Sequence, residues 1–347
     1  MVMSDDEETQ FPSPAERTGL TGHAEAEAHL RSLLDDGALS AGWMIAGPAN
    51  IGKATLAYRL VRAFLDTASL ADTDSLATHD SRTAHLVAQK AHPDLFVAER
   101  AWDEKKEKFA GEITVDTIRQ LISFMTRTSE TGRKVAIIDS ADELNRNAAN
   151  ALLKVLEEPP ACTLLLLLTS APGRLLPTIR SRCRVLHLKP LDETMVADFL
   201  VAEGAADEAN ARAIAAAAAG RPGFALTLAA GEGGDAVTAA EAFFRSAISG
   251  RGLPAFAERM TQKSAEPMWD SFKAIVLTRL AGAATALASG MPLHAELQPL
   301  ASRSPATLVD AWSDMGALIS RGEALNTNRT QIILGLGAIV NKAVKGG

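Results

Sequence analysis

At 347 residues, the chain exceeds one ordinary domain of roughly 100–200 residues, and two or three units with their own cores are expected. A formal net charge of −7 and a sequence pI near 5.6 exclude a bulk positive field, so any contact with nucleic acid has to be local. Hydrophobic residues at 47% with aromatics at only 5% favour helices and a few buried strands over an all-β plan.

Cys162 and Cys183 have neither a disulfide-framework nor a zinc spacing, which fits a reducing cytosol. The start, MVMSDDEETQ, is acidic and polar, unlike a secretory signal. No uninterrupted apolar run reaches the ~18 residues that span a bilayer. A soluble, cytoplasmic protein without a membrane partner is expected. Residues 251–347 carry ten Lys or Arg against seven Asp or Glu, a mild excess that reads as solvated helix surface.

Residues 1–18 lack an apolar period and read as a disordered leader. From Gly22 the spacing of Ala26, Leu30, Leu33 and Leu34 predicts a helix. A strand at 43–46 follows, then a Gly-rich turn and a helix over 53–65 with Leu56, Leu60 and Phe64 on one stripe. Residues 66–92 form a long connection with one short helix near 83–90. Buried strands are predicted at 95–98, 135–138, 164–168 and 185–188, with helices at 115–125 and 148–156 between them. Strands alternating with helices imply a parallel sheet covered on both faces. After Pro190 the chain turns Ala-rich and helical, at 195–203 and 208–219, stopping at Gly220 with Pro222 and Gly223 behind it. Gly231–Gly234 reads as a hinge into a last helical region, 236–345.

Gly47-Pro48-Ala49-Asn50-Ile51-Gly52-Lys53 lies between a strand and a helix, the context of a phosphate loop. Glycines let backbone N–H groups turn inward, the helix N-terminus adds partial positive charge, and Lys53 reaches outer phosphates. The next residue should carry the hydroxyl that holds magnesium, but it is Ala54. Thr55 lies about 100° further round the helix and is a poor substitute. A second acidic motif, Val135 to Asp139, ends a buried strand with a carboxylate, yet Ser140 stands where a water-activating Glu is usual. ATP or ADP could still enter this degenerate site, without efficient hydrolysis. Thr169 and Ser170 end the next strand and could sense a phosphate. The stretch 175–183, LLPTIRSRC, reads as a short helix that presents an arginine.

Together the degenerate loop, Asp139, the run NAANALLKVLEEPP over 147–160 and Ser181-Arg182-Cys183 resemble the delta-prime family of bacterial DNA polymerase III clamp-loader subunits. The resemblance covers about residues 18–230, while the last hundred residues match only loosely. It implies an AAA+ architecture: a RecA-like α/β domain over 19–190, a helical lid over 191–235 and a helical collar or oligomerisation domain over 236–347. It also implies that Arg182 is an arginine finger acting in trans on ATP held by an adjacent motor subunit. The implied partners are motor subunits and a clamp-opening subunit in a five-membered ring, with the sliding clamp and primer-template DNA met through the complex.

The sequence departs from the family in two places. Relatives often carry a four-cysteine zinc module before the His92-Pro93-Asp94 position. Here 75–91 has no cysteine, so no zinc is expected, and His79, His85 and His92 read as exposed. Motor subunits place a lid arginine where this chain has Gly223, with Arg221 close by as a sensor-like residue. A working motor ATPase and a stand-alone nucleotide-binding adaptor are the rival readings.

Overall fold

The computed structural model describes residues 11–39, 42–71, 75–103, 108–230, 233–265, 268–325 and 327–346. Two compact units divide the chain, one up to Leu191 and one from Asp192.

The first unit runs α1 (Ala24–Asp35), β1 (Gly42–Ala46), α2 (Lys53–Leu65), α3 (Arg82–Ala88), β2 (Leu95–Ala98), β3 (Trp102–Asp103), β4 (Lys108–Phe109), α4 (Val115–Thr126), β5 (Lys134–Ile138), α5 (Arg146–Glu157), β6 (Thr163–Thr169), α6 (Pro177–Arg180) and β7 (Arg184–His187). Five strands form one sheet in the order β2-β5-β6-β1-β7, every pairing parallel. This is the parallel, helix-covered α/β sheet that alternating strands and helices implied. The antiparallel pair β3 and β4 was not anticipated, because two-residue strands among charged residues leave no readable alternation.

Successive side chains of a strand point to opposite faces, and both faces of the central strands β1, β5 and β6 are buried; the strand predicted as buried at 185–188 is instead a largely exposed edge strand, β7, with a partner on one side only. Trp43, Ile45, Val135, Ile137, Leu164, Leu166 and Leu168 pack with α1, α2 and α3. Met44, Ala136, Ile138, Leu165 and Leu167 pack with α4 and α5. The same alternation directs two neighbouring cations. Arg133 donates to the Phe64 carbonyl (2.7 Å) at the end of α2. Lys134 donates to the Phe124 and Arg127 carbonyls (2.6 and 2.5 Å) at the end of α4. Each cation thus adds a donor at the carbonyl end of a helix, where positive charge is favoured.

Three further expectations for this unit need correction. The leader was drawn to residue 18, but Ala15 is buried, and Arg62 of α2 donates to the carbonyls of Ala15 and Arg17. Those bonds tie down a stretch whose sequence has no apolar period; residues 1–10 lie outside the described residues. The predicted single stripe on α2 is instead burial all round from Thr55 to Leu65, made tolerable because Arg59 pairs with Glu27. His79 and His85 are exposed as expected, but His92 is 5% exposed. Its Nδ1 accepts from the Asp94 N–H (3.1 Å), and the buried Asp94 carboxylate in turn holds the Glu130 and Thr131 N–H groups.

The second unit is helical: α7 (Glu193–Ala202), α8 (Glu208–Ala218), α9 (Pro222–Ala230), α10 (Gly233–Ser249), α11 (Leu253–Arg259), α12 (Trp269–Ser289), α13 (Pro305–Ala324) and α14 (Arg329–Lys345). Pro222, expected behind a helix stop, opens α9, where its missing N–H and fixed φ cost nothing. Gly231 and Glu232 of the expected hinge lie outside the described residues, and α10 already begins at Gly233. Phe243, Phe244, Phe256 and Phe272 form the aromatic centre, with Phe243 edge-on to Phe272 at 5.7 Å. Among the described residues one helix, α12, is long and apolar enough to cross a membrane by length and composition, although it holds no uninterrupted apolar run of that length. Its buried Arg279 pairs with Glu241 and Glu296, and eight of its residues are buried, which marks it as the core helix of this bundle.

Candidate functional site

The phosphate-loop segment leaves the carboxyl end of β1 and enters α2. Gly47 has a steric reason: a Cβ there would lie 2.6 Å from the Leu188 carbonyl oxygen, a backbone atom. Gly52 caps α2 at φ +108°, a conformation side chains avoid. Asn50 takes φ 62°, which short amide side chains tolerate. Ile51 is buried beneath the loop, and His23 Nε2 lies 3.0 Å from its carbonyl oxygen. Sequence reasoning did not bring His23 to the loop; only the tertiary approach of the segment before α1 does so.

Lys53 folds back over this loop. Its Nζ donates to the carbonyls of Gly47 (2.9 Å) and Pro48 (2.8 Å) and to Ser170 Oγ (2.9 Å). Burial pushes its ammonium down to about 8, against the pull of Asp139 and Asp142. Ala54 offers no oxygen beyond the backbone, and Thr55 is 8% exposed, turned into the buried body of α2.

Asp139 follows β5, and its N–H donates to the Ala98 carbonyl. Burial raises its carboxyl above the usual value and Glu99 adds to the rise, while Lys53 and Lys90 oppose it. Glu99 follows β2, the strand beside β5, so their proximity needs the strand order and is not visible in the sequence. Asp142, three residues on, is no substitute base: its Oδ1 accepts from Thr169 Oγ1 (2.7 Å) and from the Ser170 N–H (3.0 Å). Thr169 is completely buried, leaving Ser170 as the member of that pair that reaches Lys53.

The structure therefore gathers Gly47, Asn50, Gly52, Lys53, Asp139, Thr169 and Ser170 at the carboxyl ends of the strands. Arg182 is elsewhere. Its carbonyl lies beside Gly42, the first residue of β1, at 3.4 Å from where a Cβ would be. Gly47 is five residues further along, roughly 16 Å at ~3.3 Å per residue. The Arg182 guanidinium donates through Nη1 to the Thr178 carbonyl (3.0 Å) and through Nη2 to Glu157 Oε1 (2.7 Å), the two side chains being 36% and 50% exposed. Arg221, in the second unit, donates to the Ala218 carbonyl (3.0 Å) and to Thr278 Oγ1 (2.6 Å) and lies 4.4 Å over the Phe224 ring. It is engaged inside the helical unit. Among the described residues no group of three or more His, Cys, Asp or Glu is arranged to hold a metal.

The model of the family described as DNA polymerase III, delta subunit, matches residues 22–192, which contain the whole sheet and both ends just described. Over these residues, just under half of the chain, it is similar to that family. Its similarity to the DNA polymerase III subunit delta′ of Pseudomonas aeruginosa is 43% identity over 142 residues, 41% of this chain and 40% of that one. The Escherichia coli subunit delta′ is 36% identical over 152 residues, 44% of each chain. A tau/gamma subunit of Haemophilus influenzae is 44% identical over 92 residues, 26% of this chain and 13% of that protein. The matches to the two delta-prime relatives thus span less than half of their length. The delta-prime likeness lies in the sheet unit, and the helical unit is described by its own packing.

Proposed function

We propose that this chain is a clamp-loader subunit of DNA polymerase III that does not hydrolyse ATP itself and supplies Arg182 to the ATP site of a neighbouring motor subunit. One observation carries the reading: the exposed guanidinium sits at the opposite end of the sheet from its own phosphate loop. An arginine there meets a triphosphate only if another subunit brings one. The chain's own cradle supports the same division, since Ala54 and Ser140 remove two parts of the hydrolytic apparatus and Lys53 is satisfied by loop carbonyls. A permanently charged planar fork suits the charge that develops on a transferring phosphoryl group.

The partners on this reading are the motor subunits and a clamp-opening subunit in a five-membered ring, in the cytoplasm. The sliding clamp and primer-template DNA are met through that ring. Residues 191–235 serve as lid and 236–347 as collar. Turnover by the purified chain tests the motor reading: the expected rate is no higher than that of Lys53→Ala. Steady hydrolysis abolished by Lys53→Ala would make this chain a motor ATPase. A chain that joins no ring would fit the adaptor reading.

Any polyphosphate held in the cradle is expected to bind with a pH dependence set by Lys53. An anion stabilises the ammonium, so the bound form has a higher value than the free form's value of about 8. Affinity is full below that pH and falls about tenfold per unit above it, until the bound form also titrates. Titration of labelled ATP at pH 7 and pH 9 checks this, with Lys53→Met expected to lose the dependence. Equal affinity at both pH values would contradict it.

A further inference from the structure

Arg182 does not stand alone on its surface. A guanidinium carries five N–H donors in one plane, and the chain engages one on each terminal nitrogen, through Thr178 O and Glu157 Oε1. One acceptor is a backbone carbonyl and the other a side-chain oxygen, and both residues have their backbone held in place. Thr178 lies in α6, whose Ile179 is completely buried, and the Arg182 N–H closes back on the Ile179 carbonyl at 3.1 Å. Glu157 is the last residue of α5, with Val155 and Leu156 of the same turn buried, and Pro159-Pro160 prevent the helix from continuing. Such an exposed pair adds little to stability, so its consequence is orientation.

An unrestrained arginine samples many rotamers and loses that freedom on meeting a phosphate. Held at two nitrogens, this one keeps its Nε–H and the second hydrogen of each Nη for an incoming anion. We infer that Glu157 is a positioning residue for Arg182, fixing the guanidinium plane so that its remaining donors face a neighbour's phosphate. This rests on the reading that Arg182 acts in trans. The carboxylate does not touch the nucleotide and takes no part in the chemistry.

The test uses the reconstituted complex with its motor subunits, clamp-opening subunit, clamp and primed DNA, read by single-turnover ATP hydrolysis. Glu157→Ala is expected to slow hydrolysis at the site facing this subunit by about tenfold, the scale of a modest misplacement, with KM for ATP unchanged. Glu157→Gln, which keeps the acceptor oxygen without the charge, is expected to fall between the two. Adding Glu157→Ala to Arg182→Ala is expected to change nothing more, because both act through one group. A wild-type or faster rate in Glu157→Ala overturns the inference, as does a further loss in the Arg182→Ala background. If Arg182→Ala itself leaves the rate unchanged, the trans reading fails and the role of Glu157 with it. Melting curves of the variants check folding, and Glu157→Gln carries the test should Glu157→Ala not fold.

Discussion

Arg182→Ala is expected to slow hydrolysis at the ATP site facing this subunit by ~10³-fold or more, the lower end of what an arginine finger supplies in phosphoryl transfer, while the complex still assembles. The substitution is clean for a structural reason. The Arg182 N–H keeps its bond to the Ile179 carbonyl whatever the side chain, and among the described residues the side chain gives up one bond to the Thr178 carbonyl and one exposed ion pair with Glu157, the latter worth ~0–1 kcal/mol. Loss of activity therefore cannot be traced to loss of fold. Arg182→Lys retains the charge but not the planar fork and is expected to recover only a small part of the rate. Single-turnover hydrolysis with primed DNA measures both, and an undiminished rate in Arg182→Ala would remove the reason for assigning the residue a trans role.

Glu27→Ala should have the largest effect on stability. Glu27 Oε1 accepts from Arg59 Nε (2.6 Å) and Nη2 (2.5 Å) and from the Leu76 N–H (3.1 Å), and both charged side chains are buried. Removing the carboxylate strands a guanidinium and a backbone donor between α1 and α2, which costs ~3–5 kcal/mol for a buried pair broken on one side. For a unit of this size that lowers the melting temperature of the sheet unit by about 10 °C. Glu27→Gln keeps an acceptor for Leu76 and is expected to cost less. A shift under ~1 kcal/mol in denaturant unfolding would mean the pair is replaceable by water. Because α2 carries Lys53 at its first turn, this buried pair also holds the loop lysine in place.

The parts of the site that depend on local geometry were readable in the sequence. Gly47 and Gly52 occupy places where a close backbone approach and a positive φ require them, and Asp139 follows a run of buried apolar residues. Ala54 and Ser140 were readable as absences. What was hidden depends on which strand lies beside which. Glu99 influences Asp139 only because β2 neighbours β5, and Asp142 meets Thr169 and Ser170 only because β6 neighbours β5. A continuous buried strand such as Lys134–Ile138 conceals its alternation, so the opposite destinations of Arg133 and Lys134 had no signal. His92 was misread as exposed because its partner is a backbone N–H two residues on, and the leader was drawn too long because Ala15 is one small residue in polar surroundings. Glu157 entered only as a letter within LEEPP; its role needs the end of α5 placed against the turn after α6.

The most direct measurement is a structure of the assembled complex with a non-hydrolysable ATP analogue in the motor sites. The Arg182 guanidinium is expected at hydrogen-bonding distance, about 3 Å, from the terminal phosphate held by the adjacent subunit. A guanidinium directed into solvent, or far from any triphosphate, would contradict it.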